Sequence, residues 1–368
     1  MHILLKTHWR AVRYRTNERT SAHSSSPHSS SHSLQTQQAD GEHRRMERPS
    51  YTMPTARVSV SNDGILDAYP VDRCLPTFLN RDVFSNTVRN KKPVIIDGAA
   101  LRWLGMSGGG VAPEFDMEML EDCDVEMLVA VDGRNFLRNT LCSTKSVSLK
   151  TGMRSILLGC HPGDSPIDYL PVRSYIRVYF DQHQRLRDNV DLNYLIRIAS
   201  SSAIIDASNE IPPTNELKST FDEGSLPFKP KNIGLWTSSE GCVTPLHFDR
   251  CHGFLAQIIG TKTFLIASCS DSVLLRYWRE KGQECNGNGS TSPINLFLWL
   301  EGDVKERSKY PLVDEVAWFI AKLFPGDILY TPPGWWHYVI SNTASMSVLI
   351  PFDPVLSFEI LPTNVLLS

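Results

Sequence analysis

Two stretches decide how this chain is read: Thr244-Pro245-Leu246-His247-Phe248-Asp249, and Phe324-Pro325-Gly326-Asp327-Ile328-Leu329-Tyr330-Thr331-Pro332-Pro333-Gly334-Trp335-Trp336-His337. Side chains at i and i+2 of a strand share a face, so the first stretch aims His247 and Asp249 the same way. In the second, Pro-Gly-Asp makes a turn, Ile-Leu-Tyr a strand and Pro-Pro-Gly a rigid corner, after which Trp-Trp-His begins the return. One imidazole and one carboxylate are two corners of a coordination triangle. The third falls to a histidine on a neighbouring strand, and His337, 88 residues after Asp249, fits best.

Two histidines and one aspartate on one face are the ligand set of non-heme Fe(II) oxygenases. The set leaves three coordination positions open. A co-substrate chelates two of them and O2 takes the third. His-x-Asp alone is a weak signal, and a lone His in an apolar strand is more often a hydrogen-bonded core residue. The specificity lies in the joint pattern, which also includes Gln257 and Gly260-Thr261-Lys262 between the two stretches. His161 and His183 read as ordinary surface or loop residues, and His252 is left open because it sits close to the triad. A buried Lys262 needs an anionic partner, which a carboxylate co-substrate supplies. Thr244, three residues before His247, can donate a hydroxyl to the same group.

Around these stretches the texture is short strands with Gly and Pro punctuation, the pattern of an all-β sandwich or barrel. The candidates are 233–237, 244–249, 253–259, 263–267, 317–322, 327–331, 337–342 and 345–350, interrupted by a long loop over 282–293. Upstream, the sequence predicts a helix around 78–88, a buried strand at 94–96, a short helix at 117–123, strands at 127–131 and 146–149, and a helix at 191–200. Residues 21–33 hold eight Ser and three His, a tract that buries too little apolar surface to order itself. The expected organisation is a disordered tail over 1–57, an α/β lead-in over 58–230, the core over 231–353 and a short extension over 354–368.

Composition narrows the classes. The chain of 368 residues carries 37 Lys+Arg and 40 Asp+Glu, and its net charge of −3 is split into +4 over residues 1–50 and −7 over the rest. An acidic body is a poor general phosphate binder. No apolar run approaches the roughly 18–20 residues of a membrane-spanning helix, so no membrane is expected. The eight Cys never form Cys-x-x-Cys, which argues against a zinc ribbon or thioredoxin-like site. Without a secretory signal, the expected location is intracellular, cytoplasmic or nuclear. The basic first twenty residues also resemble a mitochondrial transit peptide, although an unselected extension before Met46 or Met53 is the preferred reading.

With these residues in view, the sequence resembles the JmjC-type, cupin-like Fe(II)/2-oxoglutarate oxygenases, especially a small hydroxylase branch that includes asparaginyl and wybutosine-tRNA hydroxylases. The resemblance covers 75–103, with Asn90-Lys-Lys-Pro-Val-Ile-Ile-Asp-Gly, and then 234–352. It implies a double-stranded β-helix (jelly-roll) core, Fe(II) ligands His247, Asp249 and His337, and Lys262 and Thr244 on the distal carboxylate of 2-oxoglutarate. Ser174-Tyr175-Ile176-Arg177 matches the family's tyrosine-bearing segment, which adds Tyr175. Lys309-Tyr310-Pro311 matches a family tripeptide ahead of the distal histidine. Two positions depart from the family: Gly253 and Leu349 stand where relatives often carry asparagines of the polar shell around the co-substrate.

The expected reaction is hydroxylation of a protein side chain, because an acidic body suits basic polypeptides better than RNA. Histone lysine demethylation is the second reading and a tRNA base the third. Trp236, Trp335 and Trp336 are candidates for the pocket wall. The rivals from other classes are a non-catalytic cupin-fold binding module, motivated by Gly253 and Leu349, and a sugar-binding cupin.

Overall fold

The computed structural model describes residues 58–59, 66–103, 120–130, 142–158, 174–180, 183, 189–200, 232–281 and 290–353. The Ser/His-rich stretch, His161 and the extension after residue 353 lie outside them. Seven strands precede the core: β1 (Val58–Ser59), β2 (Asp67–Pro70), β3 (Arg73–Cys74), β4 (Val94–Ile96), β5 (Asp124–Ala130), β6 (Cys142–Ser148) and β7 (Ser174–Tyr179). The core holds β8 (Gly234–Ser238), β9 (Val243–Phe248), β10 (His252–Ile259), β11 (Lys262–Ala267), β12 (Trp318–Leu323), β13 (Ile328–Thr331), β14 (Trp336–Ser341) and β15 (Ser345–Phe352). These eight coincide with the eight segments expected from the sequence, within two residues at either end.

The core strands divide between two sheets. One contains β12-β11-β14-β9 and the other β13-β10-β15-β8, each in that order and antiparallel throughout. The chain crosses between sheets at most connections, which is the double-stranded β-helix. Strand alternation explains how each sheet has two apolar faces. On β11, Phe264 and Ile266 point between the sheets, towards Leu329 and Val339. Leu265 and Ala267 point outward, where the helices Ser272–Lys281 and Leu296–Leu300 cover them. On β10, Phe254, Ala256 and Ile258 face the other way and pack on the lead-in segment, which covers that sheet.

The lead-in is continuous with the core rather than beside it. β4 and β3 extend the larger sheet past β13, while β7, β5 and β6 extend it past β8; β2 runs parallel to β12 at the edge of the smaller sheet. The turn that carries the chain from β10 in one sheet to β11 in the other depends on Gly260, whose φ is +68° and whose Cβ would lie 2.1 Å from the Ala344 carbonyl oxygen. Gln257, within the sequence pattern noted above, is a structural plug: it accepts a bond from Ser347 and donates to the carbonyls of Ile259 and Gly260.

Several local expectations change. The segment 78–88 is one short helical turn, Arg81–Val83, capped by Asn80 and continued as a π-turn over Phe84–Val88. The helix expected at 117–123 is absent over Leu120–Cys123, while residues 117–119 lie outside the described part. The reason is local competition. The Asp122 carboxylate accepts from Ser148 Oγ and from the Lys150 amide, capping the helix Leu149–Leu158, and that duty holds the segment extended. That helix begins where the strand at 146–149 was expected to end.

Candidate metal centre

β9 carries His247 near its end and Asp249 follows immediately beyond it. β14 pairs with β9 so that His337 stands directly opposite His247, with ring centroids 4.1 Å apart. A metal-ligating atom from each of His247, Asp249 and His337 lies within 4.8 Å of the other two. The Pro-Pro-Gly corner is tied to this turn, because the Gly334 amide donates to the Asp249 carbonyl at 2.7 Å. The two sequence stretches therefore meet through one strand pair.

The donor set fits a divalent transition metal, and hydrogen bonds orient it. His247 Nδ1 donates to the Pro245 carbonyl at 2.7 Å, and His337 Nδ1 donates to the Trp335 carbonyl at 3.0 Å. Each bond fixes the tautomer and leaves Nε2 as the coordinating nitrogen. His337 Nε2 lies 3.6 Å from Asp249 Oδ2, a separation that a shared ion can span. His337 is held below the ordinary histidine value, first by burial and then by the neighbouring His247 ring. It is thus neutral at physiological pH, the form that binds metal. Asp249 keeps a half-exposed side chain and gives the centre its open side.

A cavity of about 210 Å³ opens from His247 between the sheets. Its walls include Thr244, Lys262, Tyr175, Trp236 and Val339, so the three residues expected to meet a carboxylate all line one space with the candidate ligand His247. Lys262 is only 6% exposed. Among the described residues no hydrogen bond or ion pair reaches its ammonium. Burial lowers its pKa from 10.5 to about 8, with Cys242 acting in the opposite direction. A cation placed so deep without a counter-charge is arranged for an anion from outside the chain. Tyr175, on β7, stacks against Trp236 with centroids 6.0 Å apart and rings 7° from parallel.

Other expectations resolve differently. Trp236 lines the cavity, whereas Trp335 belongs to the apolar packing between the sheets and Trp336 to the outer face of the smaller sheet. His252 is no ligand: it lies on the opposite face of β10, 2% exposed, with Nδ1 2.8 Å from the Tyr330 hydroxyl. His183 lies outside any helix or strand, in keeping with its reading as a loop residue, but at 1% exposed it is not on the surface. Tyr310 is fully buried against Tyr277 and Trp299, away from the metal ligands. Gly253 and Leu349 do face one another, with a Leu349 methyl 3.9 Å from where a Gly253 Cβ would stand.

Three further lining residues carry no signal in the sequence. Thr291 returns from the loop over 282–293 to form a bridge with His247, and Ser238 and Ser341 close the end of the cavity near Lys262. Serine and threonine in turns are too common to mark a site; only the pairing of distant strands gathers these.

The chain is similar to several known proteins. The family model described as a cupin-like domain matches residues 80–355. Jumonji C domain-containing protein 5 of Drosophila melanogaster is 33% identical over 117 residues, covering 32% of this chain and 26% of that protein. Lysine-specific demethylase JMJ30 of Arabidopsis thaliana is 34% identical over 119 residues, covering 32% of this chain and 25% of that protein. The chain thus spans about a quarter of the length of these two relatives. The solved Escherichia coli ribosomal oxygenase YcfD is similar over 76% of this chain and 53% of its own, with 14% identity and a TM-score of 0.34. The match across most of its length shows that the chain belongs to the cupin-like domain family.

Proposed function

We propose that this chain is an Fe(II)- and 2-oxoglutarate-dependent dioxygenase that hydroxylates a protein side chain. The observation that carries the proposal is the buried, unpaired Lys262 in the same cavity as His247. Two imidazoles and one carboxylate alone suit several metals; the additional cation at the cavity's far end selects a co-substrate with a second carboxylate. Bound iron would supply O2 activation coupled to decarboxylation of 2-oxoglutarate, giving succinate, CO2 and one oxygen atom for a substrate C–H bond.

The chain's own residues have separate tasks in this reading. His247, Asp249 and His337 hold the metal through three adjacent positions and leave the others for ligands. Lys262 attracts the distal carboxylate, and the Thr244 and Tyr175 hydroxyls donate to it. Val339 and the apolar packing beyond it keep water from the space between the sheets. Lysine-specific demethylases among the relatives favour a polypeptide substrate. Oxygen insertion at an N-methyl carbon ends in demethylation, and insertion elsewhere leaves a stable alcohol.

The test is anaerobic titration with Fe(II) and 2-oxoglutarate, then succinate measurement in air. Binding together with uncoupled succinate formation is expected, and absence of both refutes the enzyme reading. A peptide library analysed by mass then separates gain of one oxygen from loss of a methyl. The contact between Gly253 and Leu349 favours one second reading, a binding module that keeps the site without turnover. Its signature is 2-oxoglutarate binding without succinate.

A further inference from the structure

We infer that Ser238 is an additional carboxylate-binding residue, oriented by Ser341, and helps select the co-substrate by its second carboxylate. This inference rests on the proposed 2-oxoglutarate reading and extends it to residues outside the expected set. Ser341, at the end of β14, is the direct register partner of Lys262 on β11. Ser238, at the end of β8, pairs in register with Ser345 at the start of β15. Both Ser238 and Ser341 line the cavity together with Lys262. The three serines are 6%, 3% and 0% exposed for Ser238, Ser341 and Ser345, so water does not account for their placement.

Their hydrogen bonds form a triangle. Ser238 Oγ lies 2.8 Å from Ser341 Oγ and 3.1 Å from Ser345 Oγ, and Ser345 donates to Ser341 at 3.3 Å. Three hydroxyls carry three protons. With Ser345 donating to Ser341 and Ser341 donating to Ser238, two protons are used. The third, on Ser238, either closes the triangle on Ser345 or turns into the cavity. A carboxylate drawn in by Lys262 favours the second arrangement, since a bond to a charged acceptor is stronger than one to another hydroxyl. The chain of donors behind Ser238 then polarises that bond further.

A purely structural role is the competing account, because Ser238 and Ser341 come from different sheets and their bond fastens the two together. The test compares the two ligands that differ only at the end in question: 2-oxoglutarate, and 2-oxobutyrate, which lacks the second carboxylate. The Mn(II)-loaded full chain is titrated with each by calorimetry. Wild type is expected to prefer 2-oxoglutarate. Ser238→Ala is expected to lower 2-oxoglutarate affinity by about tenfold, one charge-assisted bond's worth, and Ser341→Ala to lower it by less in the same direction, both leaving 2-oxobutyrate affinity unchanged. Equal weakening of both ligands, or no change in either, overturns the inference. Lys262→Met separates this from the reading beneath it: if wild type shows no preference, or Lys262→Met keeps it, the co-substrate reading fails. If Lys262→Met abolishes the preference and the serine variants retain it, only the serine assignment fails.

Discussion

Replacing Lys262 by methionine should make the ligand-free protein more stable while removing its co-substrate. Methionine has nearly the same length and shape but no charge. In the folded chain burial lowers the lysine from 10.5 to about 8. At roughly 1.4 kcal/mol per decade, that drop means the charged lysine costs on the order of 3 kcal/mol at neutral pH. The sign follows from proton counts. Between pH 8 and 10.5 the unfolded chain holds a proton that the folded chain has released, so wild-type stability rises with pH across that window. Below it, both states are charged and the full cost is present; above it, both are neutral and the cost vanishes. Urea unfolding of wild type and Lys262→Met, each from pH 7 to 10.5, reads the difference directly. The variant should lead by about 3 kcal/mol at pH 7 and lose that lead by pH 10.5. With Mn(II) already present in both, adding 2-oxoglutarate at a hundredfold excess over its dissociation constant should stabilise wild type by about 2.7 kcal/mol and the variant far less. A variant less stable than wild type at pH 7, or a difference that stays constant with pH, would refute the reasoning.

Three other outcomes follow from the same structure. His247→Ala and Asp249→Ala should each abolish iron retention measured by metal analysis after gel filtration; full occupancy in both variants contradicts the ligand assignment. His252 is lowered to about 4, first by burial and then by Arg89, so wild-type stability should fall by up to about 3 kcal/mol as pH drops from 6.5 to 4. In His252→Phe this limb should flatten, and an equally steep limb in urea unfolding sinks the assignment. Gly260→Ala forces a Cβ to 2.1 Å from the Ala344 oxygen at a φ of +68°; a loss above roughly 2 kcal/mol in the unfolding free energy from denaturant titration is expected, and a loss below about 0.5 kcal/mol contradicts it.

The core was legible in the sequence because its strands are short, alternate apolar residues on both faces and end in Gly or Pro turns. The triad was legible because His247 and Asp249 are close in sequence, where the period of a strand alone places them together. Helices were less legible. Ser272–Lys281 sits inside an otherwise β pattern, and its apolar face makes sense only against the outer side of β11. β7 was readable as a tyrosine-bearing segment, but its place beside β8, which brings Tyr175 to the cavity, depends on pairing across more than fifty residues. His183 and His252 show the limit most directly. Both are buried, and a histidine carries no local mark of which face of the fold it will occupy.

The sequence by itself determined the class of the fold and the chemistry of the candidate metal ligands. Those rest on side-chain identity and on a two-residue period, both of which are local. Only the tertiary structure decided that Lys262 is a buried cation without a partner among the described residues, because burial depends on what β12 and β14 place on either side of it. The same holds for the serine triangle, whose members lie on β8, β14 and β15. Three hydroxyls become a donor chain only when two sheets close over them, and no spacing along the chain encodes that closure.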